Sequence, residues 1–481
     1  MLPAPLAILL ILTILGGLFV GLRVIQRIFS PHPELVRKSL HISMGLTTLT
    51  FPWLFNDSIA VAILGGLAIA FLVAVRSVQP LNQNLGSVLH SVHRKSLGEI
   101  YFTVAVVLLF ALSKGSPLLF CIPMLVLTLA DAMAALIGVH YGRHQYTATA
   151  GQKSTEGSLS FFMVTFFSVH IPLLLFSPTG RAETLLIALI LGLLVMMLEA
   201  IAWQGIDNFL IPIGTFLMLR AFMNLSATDL SIRLVVIGIL VAFVFFYRRK
   251  TTLSDSALLG AAFIGYLSWF LGGWRWLLPP LLLFVSYPFL ISWIRRRQVP
   301  LTEEERQLMP WVNPDHDAAD DWQRVHDVTA VASVSAAGFL WLVMFVVNLG
   351  IASPLESRSE FLYPYTLAFA ANLAVIGIAG LSPKQYWHWT NGLRVINYCL
   401  VSWALLFGTL MILEGSTRTF LWSAAGGLLG IVLVAIAYYV LQPTLRQFPT
   451  DTFNWLARTL LTLAGSAVVG IPLSLMHAYS V

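Results

Sequence analysis

Apolar runs of near-span length follow one another along almost the whole chain, and they constrain its fold more than any other feature. Candidates stand near 4–22, 40–55, 59–75, 100–112, 118–139, 158–176, 184–203, 209–225, 230–247, 257–271, 274–294, 328–351, 363–381, 396–413, 420–441 and 455–476. A helix needs roughly 20 mostly apolar residues to cross a bilayer. The runs at 40–55 and 100–112 are shorter, and short or broken helices are tolerated where they line a cavity. The expected fold is all-α, a polytopic integral membrane protein of about 14–16 transmembrane helices. Composition agrees: 10% of the 481 residues are charged and 58% hydrophobic, against about 25% charged in an average soluble domain. So few charges cannot cover a water-facing surface, which leaves lipid as the solvent.

Charge placement gives sidedness. Residues 1–22 carry no charged side chain, and Arg23 and Arg27 follow them. A cleavable signal peptide places its positive charge ahead of the apolar core, so a retained first span with its start outside is expected. On that assignment the inner loops are 23–39, 76–99, 140–157, 204–208, 248–256, 295–327, 382–395 and 442–454. With Arg458 counted in the last loop, they hold 21 of the 28 Lys and Arg residues. This is the positive-inside asymmetry. The formal net charge of +6 therefore reflects topology and anionic lipid, and no nucleic-acid partner is expected. Cys121 and Cys399 lie in apolar stretches and read as packing residues.

An ionisable side chain inside a span is costly and marks function by default. Asp131 is the clearest case, within an apolar run that ends at Gly138. Asp131, Ala134, Ala135, Gly138 and Gly142 share one helical face. Small residues on one face let helices pack closely; the carboxylate is what packing leaves unexplained. A loop from Gly151 to Ser158 precedes the next span. There Lys153 offers a point charge for a phosphate, Gly157 permits close backbone approach, and Ser154, Thr155 and Ser158 supply hydroxyls at a helix start that attracts anions. A plain helix cap accounts for the hydroxyls equally well.

Further along, Glu199 ends the seventh run, and Asp207 and Asn208 precede Pro212. Basic groups stand at span ends: Arg37 and Lys38 with His41, and Arg94 and Lys95 ahead of Gly98 and Glu99. Positive-inside anchoring alone would put them there. Taken together, Asp131, Glu156, Glu199 and Asp207 fall on the same expected face as Arg37, Lys38, Arg94, Lys95 and Lys153. Acids able to hold Mg²⁺, together with cations and glycines, suit a nucleoside triphosphate.

These residues resemble the polyprenol kinase family, which includes dolichol kinase and phytol kinase. The family pattern of Asp-x-x-Ala-x-x-x-Gly-x-x-x-Gly followed by Lys-Thr/Ser-x-Glu-Gly-Ser is met by Asp131, Ala134, Gly138 and Gly142, then Lys153, Ser154, Glu156, Gly157 and Ser158. Arg37, Lys38, His41 and Gly45 are similar to the family's first motif, Arg94, Lys95, Gly98 and Glu99 to its middle one, and Glu199, Gly205, Asp207, Asn208 and Pro212 to its closing one. The resemblance implies that residues around 131–158 bind CTP, whose γ-phosphate passes to the hydroxyl of a long isoprenoid alcohol in the bilayer. It implies catalytic roles for Asp131, Lys153, Glu156, Glu199 and Asp207, with Asp131 and Glu156 as candidate Mg²⁺ ligands. Gly138, Gly142, Ser154, Gly157, Ser158 and Asn208 would complete the nucleotide site. Arg37, Lys38 and His41 would stand at the phosphate or lipid-head entrance, with Arg94 and Lys95 on the same face.

All four motifs fall in 1–225, which sets the expected first domain; 226–481 forms a second, with a polar linker at 295–327. Short stretches from Leu253 and from Arg324 resemble a related membrane family, the phytyl-phosphate kinases. The run from Ala368 to Gly377 echoes the Asp131 segment, but Asn372 stands where an acid is expected. The second half is thus expected to be structural or lipid-shaping. Two other functions compete. A phosphatidate cytidylyltransferase would share CTP and Mg²⁺, yet its usual Lys-Arg and His-Gly-Gly signatures are missing. A transporter would carry intramembrane acids in both halves, whereas here they cluster in one.

Overall fold

A computed structural model describes residues 2–29, 31–77, 97–148, 151–203, 205–296, 326–351, 361–379, 381, 389–415, 417–445 and 451–478. The described residues are all-α apart from one small hairpin, and the protein is a polytopic membrane protein. Among the described residues, 11 helices are long and apolar enough to cross a membrane by length and composition. Large apolar side chains stand on its surface, Ile412 at 82% and Phe246 at 79% exposure, as a lipid-facing chain requires. The chain divides into two compact units, Met1–Gly238 and Ile239–Val481.

The first unit begins with α1 (Ala4–Phe29), α2 (Pro33–Thr48), the single turn α3 (Phe51–Leu54), α4 (Ser58–Ser77) and α5 (Gly98–Ser113). The expected run at 40–55 is therefore two helices, broken at Thr50 with Pro52 in the first turn of α3. Pro33 likewise opens α2, where a missing N–H costs nothing. At 16 residues α2 reaches about 24 Å, short of the hydrocarbon core. It packs instead through Val36 and Leu40 on Phe19 of α1 and Leu72 and Val75 of α4.

A long helix α6 (Pro117–Tyr141) follows, with a π-turn over Val126–Ala130. The hairpin β1 (Gln145–Ala148) and β2 (Gly151–Ser154) is antiparallel, pairing Gln145 with Ser154 and Tyr146 with Lys153. Then come α7 (Thr155–Phe176), α8 (Arg181–Ile201), α9 (Asp207–Phe222) and α10 (Ala227–Tyr247), the last containing the division between the units. The helix α6 lies at the centre of this unit, packed against α2, α5, α7 and α9.

The second unit holds α11 (Asp255–Gly272), α12 (Trp274–Arg296), α13 (Val328–Ile351), α14 (Leu362–Ala379), α15 (Trp389–Glu414), α16 (Arg418–Leu445) and α17 (Asp451–Ala478). Its axis is α14, nearly all of whose residues are buried against α12, α13, α15, α16 and α17. Most of the expected linker at 295–327 lies outside the described residues.

Candidate active site

One face of α2 meets α6 where the π-turn ends. Lys38, His41 and Gly45 recur at helical spacing on that face. A Cβ on Gly45 would collide with the Thr128 side chain in the π-turn, so glycine lets α2 lie directly against it. Asp131 is the first residue beyond the turn. Its Oδ2 accepts from the Lys38 Nζ at 2.7 Å, and Nζ also lies 3.4 Å from the Asp131 carbonyl oxygen. The His41 Nε2 is 3.5 Å from the same Oδ2 and 3.1 Å from the Leu127 carbonyl oxygen. A carbonyl only accepts, so Nε2 carries the hydrogen. Lys38 and Asp131 are 3% and 8% exposed. Lys38 is therefore no entrance residue; it is the buried counter-ion of Asp131.

A second, half-buried pair joins β2 to α8. The Lys153 Nζ donates to Glu199 Oε1 at 2.6 Å and also to the Glu199 carbonyl oxygen. Burial pulls the Lys153 ammonium down, but the Glu199 carboxylate outweighs it and leaves its pKa above the ordinary lysine value. The third acid, Asp207, opens α9 after a turn in which Gly205 takes φ +86°, a conformation natural only to glycine. Asn208 fixes that helix start by donating from Nδ2 to the Gly98 carbonyl oxygen of α5 at 3.1 Å. Asp207 interacts electrostatically with Asp131, Lys38 and Lys153, and Glu199 with Asp131 and Asp207. Asp207 thus lies within electrostatic range of both pairs. Its Oδ1 is buried with no hydrogen-bond partner.

The glycine stripe brings α6 and α7 together. A Cβ on Gly157 would lie 2.9 Å from the Ala134 carbonyl oxygen and 3.3 Å from the Gly138 Cα; one on Gly142 would lie 2.7 Å from the Ser154 Cβ. Ser154 caps α7, its Oγ accepting from the Gly157 N–H at 3.1 Å. The Ser158 hydroxyl pairs with the Tyr146 hydroxyl at 2.8 Å. Helix packing and capping thus account for these contacts, and their product is a tight helix start with Lys153 beside it.

Glu156 turns elsewhere: its carboxylate accepts from the His144 main-chain N–H at 3.3 Å and meets the His144 Nδ1 at 2.9 Å. Arg37 forks onto Glu34 at 2.6 and 3.1 Å on a half-exposed surface. Arg94 and Lys95 lie outside the described residues. Nothing in the sequence singles out His144 or Glu34. Tyr146 could be found only once the segment is known to be a hairpin, since its partner strand sets it opposite Lys153.

No family model matches the chain, and no solved structure matches it. Over 220 residues it is 30% identical to the phytol kinase of Synechocystis, covering 91% of that protein and 45% of this chain. The chain belongs to the phytol kinase family. For a phytol kinase relative the cluster is chemically apt, because phosphoryl transfer needs positioning and charge neutralisation more than covalent chemistry. The family relationship covers less than half of the chain, a length close to that of the first unit.

Proposed function

We propose that the first unit transfers the γ-phosphate of CTP to the hydroxyl of an isoprenoid alcohol of the dolichol, polyprenol or phytol type. The observation behind this reading is the buried Lys38–Asp131 pair, with the half-buried Lys153–Glu199 pair and Asp207 in electrostatic range, in a chain 30% identical to a phytol kinase. The start of α7, with Ser154, Gly157 and Ser158, gives the triphosphate main-chain N–H groups and hydroxyls, and Lys153 gives it a point charge. Gly138 and Gly142 hold that helix start in place. Arg37 would meet the incoming anion from the surface.

Mg²⁺ fits this arrangement as a companion of the nucleotide. Among the described residues no three His, Cys, Asp or Glu side chains form a cage, but Mg²⁺ is commonly held by one or two carboxylates plus substrate phosphates. Asp131 suits that role, since its described side-chain contacts run through Oδ2. Glu156, the other acid of the motif, would join it on leaving His144. Held there, Mg²⁺ would supply charge neutralisation to the nucleotide's phosphates. The site would face the cytoplasm, with the amino terminus outside.

The test uses the purified full chain with CTP and a panel of phytol, farnesol, undecaprenol, dolichol and diacylglycerol. CDP and a phosphorylated alcohol are expected. Pyrophosphate release with phosphatidate would instead make the protein a cytidylyltransferase. For sidedness, a cysteine at the exposed Gln152 should react from the cytoplasmic side of intact cells; reaction from outside would overturn the orientation.

A further inference from the structure

The three acids of the cluster do not have equivalent surroundings, and the differences divide the labour among them. Asp131 gives Oδ2 to Lys38 and His41. Glu199 receives Lys153 through its carboxylate and its carbonyl. Asp207 alone among them keeps a buried carboxylate oxygen, Oδ1, with no hydrogen-bond partner. Leaving such an oxygen unpaired is costly, so a hydroxyl donor that reaches it is favoured.

The flanking residues indicate which group that is. Ile206, Phe209 and Leu210 around Asp207 are apolar and half-buried. Lys153, Ser154 and the α7 helix start come from the hairpin and the helix that follows it, and their charge and N–H groups suit phosphates. An apolar molecule with one hydroxyl suits the Asp207 side; a triphosphate suits the other. The anchoring of Asn208 on Gly98 fixes the Asp207 main chain, as a group that must meet a reacting atom requires.

Resting on the kinase reading above, we infer that Asp207 is the catalytic residue that accepts the proton of the lipid hydroxyl through its unpartnered Oδ1. In that step the hydroxyl oxygen forms a bond to the γ-phosphorus. The bond from that phosphorus to the β–γ bridging oxygen breaks, and CDP leaves with the electron pair. The hydroxyl proton passes to Asp207 Oδ1 and then to water. Asp131 and Lys153 stay on the phosphate side throughout.

Asp207→Asn mimics the protonated acid in shape and hydrogen bonding, so it separates a base from a buried neutral acid. The full chain in detergent is assayed for CDP release, for Mg–CTP affinity by calorimetry, and for kcat between pH 5 and 9. Wild type should lose kcat toward acid pH, where a base becomes protonated. Asp207→Asn should keep CTP affinity within about threefold, lose kcat at least about 100-fold and lose the acid limb. Asp207→Ser should do the same, which covers misfolding specific to Asn. Near wild-type kcat in either variant overturns the inference. So does joint loss of CTP binding and rate in folded protein, which would place Asp207 on the nucleotide; failure of both variants to fold would make its role structural. A wild-type protein that phosphorylates none of the alcohols fails earlier and removes the kinase reading itself.

Discussion

The first unit draws opposite charges inward in pairs, one of them fully buried, whereas the buried polar side chains described in the second unit are neutral. In the first, Lys38 meets Asp131 and Lys153 meets Glu199, with Asp207 alongside. In the second, the buried polar side chains among the described residues are Ser, Thr, Asn and Gln, and many bond to main chain. Asn372 in α14 donates to the carbonyl oxygens of Val334 and Ala368 at 3.0 and 2.9 Å. Tyr365 bonds Ser268 and the Trp276 carbonyl oxygen, both at 2.9 Å. A neutral donor satisfied by carbonyls stitches helices together and asks for nothing more. Buried ion pairs are poor stabilisers against apolar packing, so the burial of the Lys38–Asp131 pair points to chemistry in the first unit.

The largest expected effect tests the Lys38–Asp131 pair. Lys38→Met leaves a buried carboxylate unpaired and should lower unfolding free energy by about 3–5 kcal/mol, read by thermal unfolding in detergent. Adding Asp131→Asn should restore most of the stability and none of the activity. A Lys38→Met protein as stable as wild type would remove the contrast between the units.

Next, Lys153→Met should cut kcat by roughly 10²–10³ as a charge facing the phosphates is lost, with CDP release as the readout. Because the Lys153 pKa is raised in the fold, its charge is complete below the ordinary lysine value of about 10.4 and is lost only as pH rises through the higher folded value. CTP affinity should therefore show no loss from this residue between pH 7 and 9. A loss in that window that Lys153→Arg abolishes would contradict it.

A smaller effect is expected from Gly157→Ala, whose methyl meets the Ala134 carbonyl oxygen and the Gly138 Cα. Overpacking of this kind costs about 1–3 kcal/mol, and the displaced helix start should weaken CTP binding; unchanged affinity would detach the glycines from the nucleotide site. The smallest belongs to the second unit. Asn372→Ala should lower stability by about 1 kcal/mol and leave kcat alone. A large loss of kcat would give the second unit a share in the chemistry.

Hydropathy made most of the fold legible, because each long span declares itself within its own twenty residues. It misplaced the 40–55 run, where Pro33 and Pro52 rather than apolarity set the helix boundaries. It read 140–157 as a loop, since a four-residue hairpin is too short for a periodic signal. Asp131 was legible as a site residue because lipid burial makes any carboxylate conspicuous. Its partner was not: Lys38 looks like every other lysine at a span end until a helix 93 residues away closes over it. The unpartnered Asp207 oxygen was equally hidden, because being unpaired is a property of the surroundings rather than of the residue.

The same distance between Lys38 and Asp131 bears on how the protein is made. A charged lysine at the centre of a lone helix costs about 2.5–3.5 kcal/mol on insertion scales, and α2 is too short to hold itself across a bilayer. While the nascent chain ends before residue 131, Lys38 lacks its partner Asp131, and α2 is expected to stay at the membrane surface. Only when α6 has been synthesised and laid down, carrying Asp131, can α2 sink beside it. The expected consequence is that seating of α2 and formation of the Lys38–Asp131 pair are one event.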